Sequence, residues 1–146
     1  MALKGGPLVR ESSSPEETEA IGRDLAGHLM AGDILLLYGD LGAGKTVFAR
    51  GIIQALPGGK NRPVRSPTFV YIQHHPTDPP VNHVDLYRLP VNSAPEELGL
   101  EEWGSQESVT LVEWAQRLQG RRFPQCIEVH IEFLGGDRRE IRINKR

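Results

Sequence analysis

The chain has 146 residues, a formal net charge of -2 and one cysteine. This length favours one domain with its own buried core, and we expect residues 1–146 to form it. The small net charge argues against a strong electrostatic attraction to nucleic acid, and the lone Cys126 excludes both an internal disulfide and a cysteine-based metal site. No apolar run approaches the length of a membrane span and the first residues lack a secretory signal pattern, so we expect a cytoplasmic protein without a membrane partner.

The first predicted helix begins at a group of capping signals. Ser14 is a good N-cap, Pro15 suits the first helical position, and Glu17 completes a capping box. Ile21 and Leu25 then recur at helical spacing and predict the buried face of this helix.

A glycine-rich loop follows, between an apolar run and a second helical pattern. Residues 34–38 (Ile-Leu-Leu-Leu-Tyr) predict a buried strand, and the apolar residues of 47–56 recur at helical spacing. Residues 39–46, between them, read Gly-Asp-Leu-Gly-Ala-Gly-Lys-Thr and fit the pattern G-x-x-x-x-G-K-[ST]. Strand, glycine loop and helix in this order predict a phosphate-binding loop, or P-loop, for a nucleoside triphosphate.

The chemistry of a P-loop explains its residue types. Backbone N–H groups point inward at the phosphates, Lys45 reaches the β- and γ-phosphates, and the Thr46 hydroxyl can ligate Mg²⁺. We therefore predict that the whole loop binds the nucleotide, through Gly39, Asp40, Leu41, Gly42, Ala43, Gly44, Lys45 and Thr46.

Three short strands and a helix are predicted in the middle of the chain. Runs of β-branched, aromatic or apolar residues at 68–72, 81–86 and 109–112 indicate the strands. Pro95 opens a short helical pattern. Residues 74–80, which combine two adjacent histidines with prolines, predict an exposed connection that lacks the ligand spacing of a metal site.

The last part of the chain changes to strict alternation. Apolar residues alternate with polar ones over 127–133, a Gly-Gly-Asp turn occupies 135–137, and the alternation continues through Ile141 and Ile143. This pattern predicts an antiparallel hairpin that is solvated on one side. The predicted fold is therefore α/β: a three-layer, P-loop NTPase-like, mostly parallel sheet with a C-terminal antiparallel hairpin.

Two acidic residues follow predicted strands. Asp85 comes after one apolar stretch, and Glu113 ends the stronger run, as the acid of a Walker B strand does. Ligand groups gather at the carboxyl ends of strands in open α/β sheets, so we expect these acids to hold Mg²⁺ and to place the attacking oxygen. The alternative for either is an acid that caps a strand or helix. His83 shares a strand face with Asp85 and is expected to contact substrate or to hydrogen-bond Asp85.

Four segments in a fixed order resemble one known family. They are residues 39–46, Ser66-Pro67-Thr68-Phe69, the stretch His-Val-Asp-Leu-Tyr-Arg-Leu at 83–89, and Leu-Val-Glu-Trp at 111–114. Over most of its length the chain resembles the bacterial TsaE family, the ATPases of tRNA threonylcarbamoyladenosine biosynthesis. By itself, the Ser-Pro-Thr-Phe segment fits either a sensor of the γ-phosphate or a turn.

The resemblance implies a Mg²⁺-dependent ATPase with low activity of its own, which works with two partner proteins. Those partners install threonylcarbamoyl on an adenosine of tRNA, so this protein would contact tRNA only indirectly. ATP hydrolysis would reset the partner complex between turnovers.

Individual residues take roles from the same resemblance. Thr46 and Glu113 would ligate Mg²⁺, and Lys45 would hold the phosphates. Asp85 would orient or deprotonate the attacking water, with Thr68 nearby.

By the same resemblance, Thr18 in the first helix and Arg139 in the hairpin match positions that would lie at the outer edge of the bound nucleotide. The family usually has Pro after Glu-Trp, whereas Ala115 stands here and permits a helix to begin.

Two other classes of P-loop protein fit less well. A small-molecule or nucleotide kinase needs a lid with paired arginines, for which the sequence offers only Arg121 and Arg122. The other class is a GTP-dependent switch or a nucleotide-sensing binding module. The sequence lacks the Asn-Lys-x-Asp stretch that would read guanine.

Overall fold

The computed structural model describes residues 7–40, 42–64, 72–87, 107–118 and 126–145. These residues form strands and helices in the following chain order: β1 (Leu8–Ser12), α1 (Pro15–Ala26), β2 (Ile34–Tyr38), α2 (Lys45–Ala55), β3 (Ile72–His75), β4 (Val81–Asp85), β5 (Val109–Glu113), a 3₁₀ helix (Ala115–Leu118), β6 (Cys126–Gly135) and β7 (Arg138–Lys145). Within these ranges, none of the helices is long and apolar enough to cross a membrane.

The strands form one mixed sheet in the order β1-β7-β6-β2-β5-β4-β3. Its middle is parallel, because β2 pairs in parallel with both β5 and β6, and β4 pairs in parallel with β5. The pairings of β1 with β7, β6 with β7, and β3 with β4 are antiparallel. This topology confirms the predicted α/β class and the C-terminal antiparallel hairpin.

The central strand β2 is apolar on both faces because both are covered. Leu35 and Leu37 pack with residues of α1 and α2 on one face, where Phe48 is fully buried. Ile34 and Leu36 pack on the other face, where the 3₁₀ helix contributes Leu118. A continuous apolar run is typical of a strand covered on both faces.

Two glycines allow α1 and α2 to approach closely. A Cβ atom at Gly22 would collide with the backbone carbonyl of Phe48, and one at Gly51 would collide with that of Glu19. Capping fixes the start of α1 as predicted, because the Ser14 side chain accepts a hydrogen bond of 3.1 Å from the N–H of Glu17. The two helices therefore hold a fixed position relative to each other and to the loop between β2 and α2.

The structure differs from the sequence-based expectations at two places. His74 and His75 belong to β3 and not to an exposed connection, and His75 is buried, because β3 pairs with β4. Strand β1 was not predicted at all, since its Leu-Val-Arg-Glu-Ser sequence has no clear alternation. The helix predicted from Pro95 and most of the strand predicted at 68–72 lie outside the described residues.

Candidate functional site

The P-loop leaves the end of β2 and leads into α2. Gly42 and Gly44 have φ values of 79° and 106°, in the left-handed region that glycine adopts without a steric penalty. Gly44 is also the N-cap of α2, and no side chain caps that helix end. The positive end of the helix dipole thus faces the loop, as an anion site requires.

Lys45 is held inside the loop by the backbone. Its Nζ donates hydrogen bonds to the carbonyl oxygens of Gly39, at 2.6 Å, and Asp40, at 2.9 Å. The ammonium group also lies 4.0 Å from the ring centroid of Trp114. Lys45, Thr46, Gly42 and Gly44 line one pocket together with Trp114 and the predicted metal ligand Glu113. The structure therefore brings Lys45, the Thr46 hydroxyl and Glu113 together beside the P-loop.

Asp85 and Glu113 lie opposite each other at the ends of two neighbouring parallel strands, β4 and β5. Both are buried, with 6% and 2% of their surface exposed. One oxygen of Asp85 accepts a hydrogen bond of 2.9 Å from the N–H of Tyr87. Burial lowers the pKa of Lys45, while the nearby charges of Glu113, Asp85 and Asp40 act to raise that pKa.

The Glu113 carboxylate bridges the loop and the sheet. Its Oε1 accepts a hydrogen bond of 2.8 Å from the Thr46 hydroxyl, and its Oε2 lies 2.5 Å from Nε2 of the fully buried His83. We call Thr46, His83, Asp85 and Glu113 the acid flank of the P-loop.

The donor set of the acid flank fits Mg²⁺. A hydroxyl and a carboxylate are hard oxygen ligands, which this ion prefers, and Mg²⁺ in phosphate sites commonly uses one or two carboxylates together with phosphates and water. In the part of the chain that the structure describes, no three His, Cys, Asp or Glu side chains converge on a metal position. Thr46 and Glu113 would therefore hold the ion only together with a bound nucleotide.

A second group of residues lines the opposite side of the loop. Arg139 of β7 donates hydrogen bonds to the carbonyl oxygens of Ala43, at 3.0 Å, and Gly42, at 3.2 Å. Thr18 of α1 is buried, and its hydroxyl is hydrogen-bonded to that of Ser12 at 2.7 Å. Thr18 and Arg139 line a common groove with Gly42 and Gly44. We call Thr18 and Arg139 the hairpin flank.

The model of the family described as "Threonylcarbamoyl adenosine biosynthesis protein TsaE" matches residues 12–141. This chain belongs to the TsaE family.

Other members and a solved structure are similar along nearly the whole chain. The tRNA threonylcarbamoyladenosine biosynthesis protein TsaE of Bacillus subtilis is 41% identical over 129 residues, which cover 88% of this chain and 79% of that protein. The TsaE protein of Aquifex aeolicus is 34% identical over 134 residues, with 91% and 92% covered. A crystal structure of Bacillus subtilis YdiB superimposes with a TM-score of 0.77 at 35% identity, covering 94% of this chain and 84% of that one.

Among the TsaE-type site residues predicted from sequence, Leu41 and Thr68 lie outside the described residues. The others fall on the loop or on one of its two flanks. A 3₁₀ helix begins at Ala115, directly after Trp114. Trp114 itself has a positive φ of 60°, a conformation uncommon for a residue with a side chain, and this turn places its ring beside Lys45.

Two contacts of the site were not predicted from sequence. His83 hydrogen-bonds Glu113, whereas the sequence suggested Asp85 as its partner. Gln116 donates a hydrogen bond of 3.2 Å to the carbonyl oxygen of Gly39. The alternation of β4 identifies the face that His83 shares with Asp85, but only the pairing of β4 with β5 shows that Glu113 lies opposite Asp85, where it can reach His83.

Proposed function

We propose that this protein is a Mg²⁺-dependent ATPase that supports threonylcarbamoyladenosine modification of tRNA. Membership of the TsaE family supports the tRNA role, because its relatives are named for that biosynthesis. The observation that carries the hydrolysis proposal is the hydrogen bond between the Thr46 hydroxyl and Glu113. It sets a hydroxyl and a carboxylate side by side at the N-terminus of the P-loop helix.

The P-loop residues bind the phosphates. The loop N–H groups and the start of α2 provide donors for phosphate oxygens. Lys45 exchanges its present acceptors, the carbonyl oxygens of Gly39 and Asp40, for phosphate oxygens. Its positive charge then offsets charge that develops between the β- and γ-phosphates during transfer.

The acid flank performs the hydrolytic chemistry. Mg²⁺, when bound, neutralises phosphate charge and makes the γ-phosphate easier to attack. Thr46 and Glu113 would provide the protein ligands for that ion. Asp85 lies opposite Glu113, and its charge acts to raise the pKa of Lys45. From this position Asp85 orients the attacking water and accepts its proton.

The hairpin flank contacts the outer part of the nucleotide. The guanidinium of Arg139 lies over the ring of Phe133 at 4.5 Å from its centroid and holds the carbonyl oxygens of two loop residues. It therefore supports the loop from the side away from Glu113. We expect ATP and not GTP, because the sequence lacks the Asn-Lys-x-Asp stretch that reads guanine.

Two partner proteins complete the proposed cycle. They transfer threonylcarbamoyl to tRNA, and ATP hydrolysis by this protein resets their complex. We expect slow hydrolysis by the protein alone, because Arg139 faces the loop carbonyl oxygens and no other arginine lines the P-loop pockets of the described residues. A partner that supplies or orients an arginine would stimulate the rate.

One experiment separates this proposal from its alternatives. Phosphate release from ATP and from GTP is measured for the protein alone, and then with the two partner proteins and tRNA, while modified adenosine is quantified by mass spectrometry of digested tRNA. We expect slow release from ATP alone, stimulation by the complex, and modification that depends on ATP turnover.

Each contrary result has a distinct meaning. Transfer of phosphate to an acceptor without release would indicate a kinase, and preference for GTP would overturn the choice of ATP. Nucleotide binding with no release under any condition would indicate a binding module. Release from ATP without any effect of the complex would remove the tRNA role and leave the ATPase in place.

A further inference from the structure

We infer that His83 is a positioning residue, which holds the Glu113 carboxylate in the orientation that the metal-nucleotide complex needs. The inference rests on the proposed function, since it assigns a task in the same site. It concerns a contact of 2.5 Å between Nε2 of His83 and Oε2 of Glu113.

The two oxygens of Glu113 have separate partners. Oε1 faces Thr46 of the P-loop, and Oε2 faces the sheet, where the imidazole of His83 donates to it. A glutamate side chain has three rotatable bonds, so one contact alone would leave the carboxylate free to turn. With both oxygens engaged, Oε1 stays directed at the loop.

The surroundings of His83 favour a role in positioning Glu113 over one of filling space in the core. The residue is fully buried in β4 and lies opposite Gln73 of the antiparallel strand β3. The centroid of its ring is 6.3 Å from that of His75. Its other ring nitrogen, Nδ1, has no hydrogen-bond partner within the described ranges. A buried imidazole with one unpaired nitrogen is costly, because a desolvated polar group without a partner destabilises the fold. The hydrogen bond to Glu113 is the interaction that an apolar residue at position 83 would lose.

Removal of His83 has a defined consequence for the acid. Oε2 of Glu113 would remain buried without its donor, and the carboxylate would turn to find another. Residues that orient metal ligands in this way commonly change metal affinity by about 10–100-fold when they are replaced.

The test compares replacements of His83 by the affinity of Mg²⁺ for the ADP-bound protein. The Mg²⁺ Kd is obtained by calorimetry, from ADP binding at a series of Mg²⁺ concentrations, and ADP binding without metal is measured in parallel. In His83→Leu we expect the Mg²⁺ Kd to rise about 10–100-fold, while metal-free ADP binding stays within about twofold of wild type.

A matched pair of amide variants separates orientation from polarity. The amide N–H group of Gln can reach the position of Nε2, whereas the shorter Asn places its amide nearer that of Nδ1. We therefore expect His83→Gln to restore most of the Mg²⁺ affinity and His83→Asn to restore little. His75→Leu provides the control for burial, because His75 is a buried histidine of the neighbouring strand whose Nδ1 accepts a hydrogen bond of 3.3 Å from Arg62.

The outcomes distinguish the inference from the proposed function. Equal Mg²⁺ affinity in wild type, His83→Gln and His83→Asn would overturn the positioning role, as would the same loss in His75→Leu and His83→Leu. This holds even where His83→Leu does not fold, since the two amide variants then decide. If Mg²⁺ does not strengthen ADP binding to the wild type, the metal-dependent function itself fails.

Discussion

The two flanks of the P-loop differ in burial and in the kind of partner that their side chains have. On the acid flank, His83, Asp85 and Glu113 are nearly inaccessible to solvent, and Glu113 is held by two side chains. On the hairpin flank, Arg139 is half-buried and holds backbone carbonyl oxygens beside the exposed ring of Phe133. Buried charges need fixed partners, because the protein interior penalises any that are left unpaired. We infer that the acid flank is preorganised for chemistry and that the hairpin flank adapts to the nucleotide.

The largest effect should come from removing charge on the acid flank. Asp85→Asn and Glu113→Gln keep the size of each side chain, but they remove the proposed proton acceptor and the proposed anionic metal ligand. We expect each to lower kcat for ATP hydrolysis by about a hundredfold or more. Steady-state phosphate release measures this, with Asp24→Asn, an exposed acid on α1, as the control.

A smaller effect on stability tests the contact that holds the two flanks in place. Thr18 of the hairpin flank lies on α1, and Thr46 of the acid flank lies on α2. The two helices are in close contact at Gly51 of α2, where a Cβ atom would collide with the backbone carbonyl of Glu19 in α1. We expect Gly51→Ala to lower the free energy of unfolding by about 1–3 kcal/mol, as overpacking does. Urea unfolding would measure the change.

Gly27 provides the matched control for that experiment. It is exposed at the end of α1, has a helical φ of -67°, and has room for a Cβ atom, whose nearest neighbour would be the Asp24 carbonyl oxygen at 3.7 Å. Gly27→Ala should leave stability unchanged or slightly raised. Equal destabilisation by the two substitutions would mean that the helix contact is not as close as described.

On the hairpin flank, we expect a substitution to change ATP binding more than the rate of ATP hydrolysis. Arg139→Ala removes two hydrogen bonds to the loop backbone. We expect the KM for ATP to rise about tenfold, equivalent to about 1.4 kcal/mol, with kcat changed less than threefold. The neighbouring Arg138→Ala is the control, because Arg138 forms an exposed ion pair with Glu11 at 2.7 Å. A loss confined to kcat would contradict the division between the flanks.

The smallest expected effect is on the pH dependence of stability. It comes from the buried His75 of β3, the strand that pairs with β4 of the acid flank. Burial, together with His83, Arg62 and His74, lowers the pKa of His75 to about 4 from 6.5. The folded state therefore binds fewer protons than the unfolded state between these values, so stability falls as pH falls. We expect a loss of about 1 kcal/mol between pH 6 and pH 5 from this residue.

His75→Leu should remove that part of the pH dependence. Thermal or urea unfolding at several pH values would measure the slope in wild type and variant. Identical slopes from pH 6 to pH 5 would show that His75 is not the group responsible.

Local patterns predicted the loop, whereas long-range pairing determined its flanks. The P-loop and its two neighbouring elements are contiguous in sequence, so periodicity and the Gly-Lys-Thr pattern were enough to predict β2 and α2. The contact of His83 with Glu113 joins residues 30 positions apart, and it depends on the adjacency of β4 and β5. Sequence periodicity shows the face of a strand but not its neighbour.

The same limit explains the missed edges of the sheet. Strand β1 exists because β7 offers it hydrogen-bonding partners, although its own residues carry little strand signal. Likewise, His75 is buried because β3 pairs with β4, despite the proline that follows it. The placement of Thr18 and Arg139 was implied only by the family resemblance, since no local pattern links α1 or the hairpin to the loop.

The central claim is that the acid flank, and Glu113 above all, turns a nucleotide-binding loop into a hydrolytic site. Single-turnover phosphate release tests it most directly, with protein in excess of ATP, saturating Mg²⁺, and bound nucleotide measured in the same samples for wild type and Glu113→Gln. We predict bound ATP in both proteins and phosphate release from the wild type about a hundredfold or more faster than from the variant. Equal release rates from two equally loaded proteins would contradict the claim.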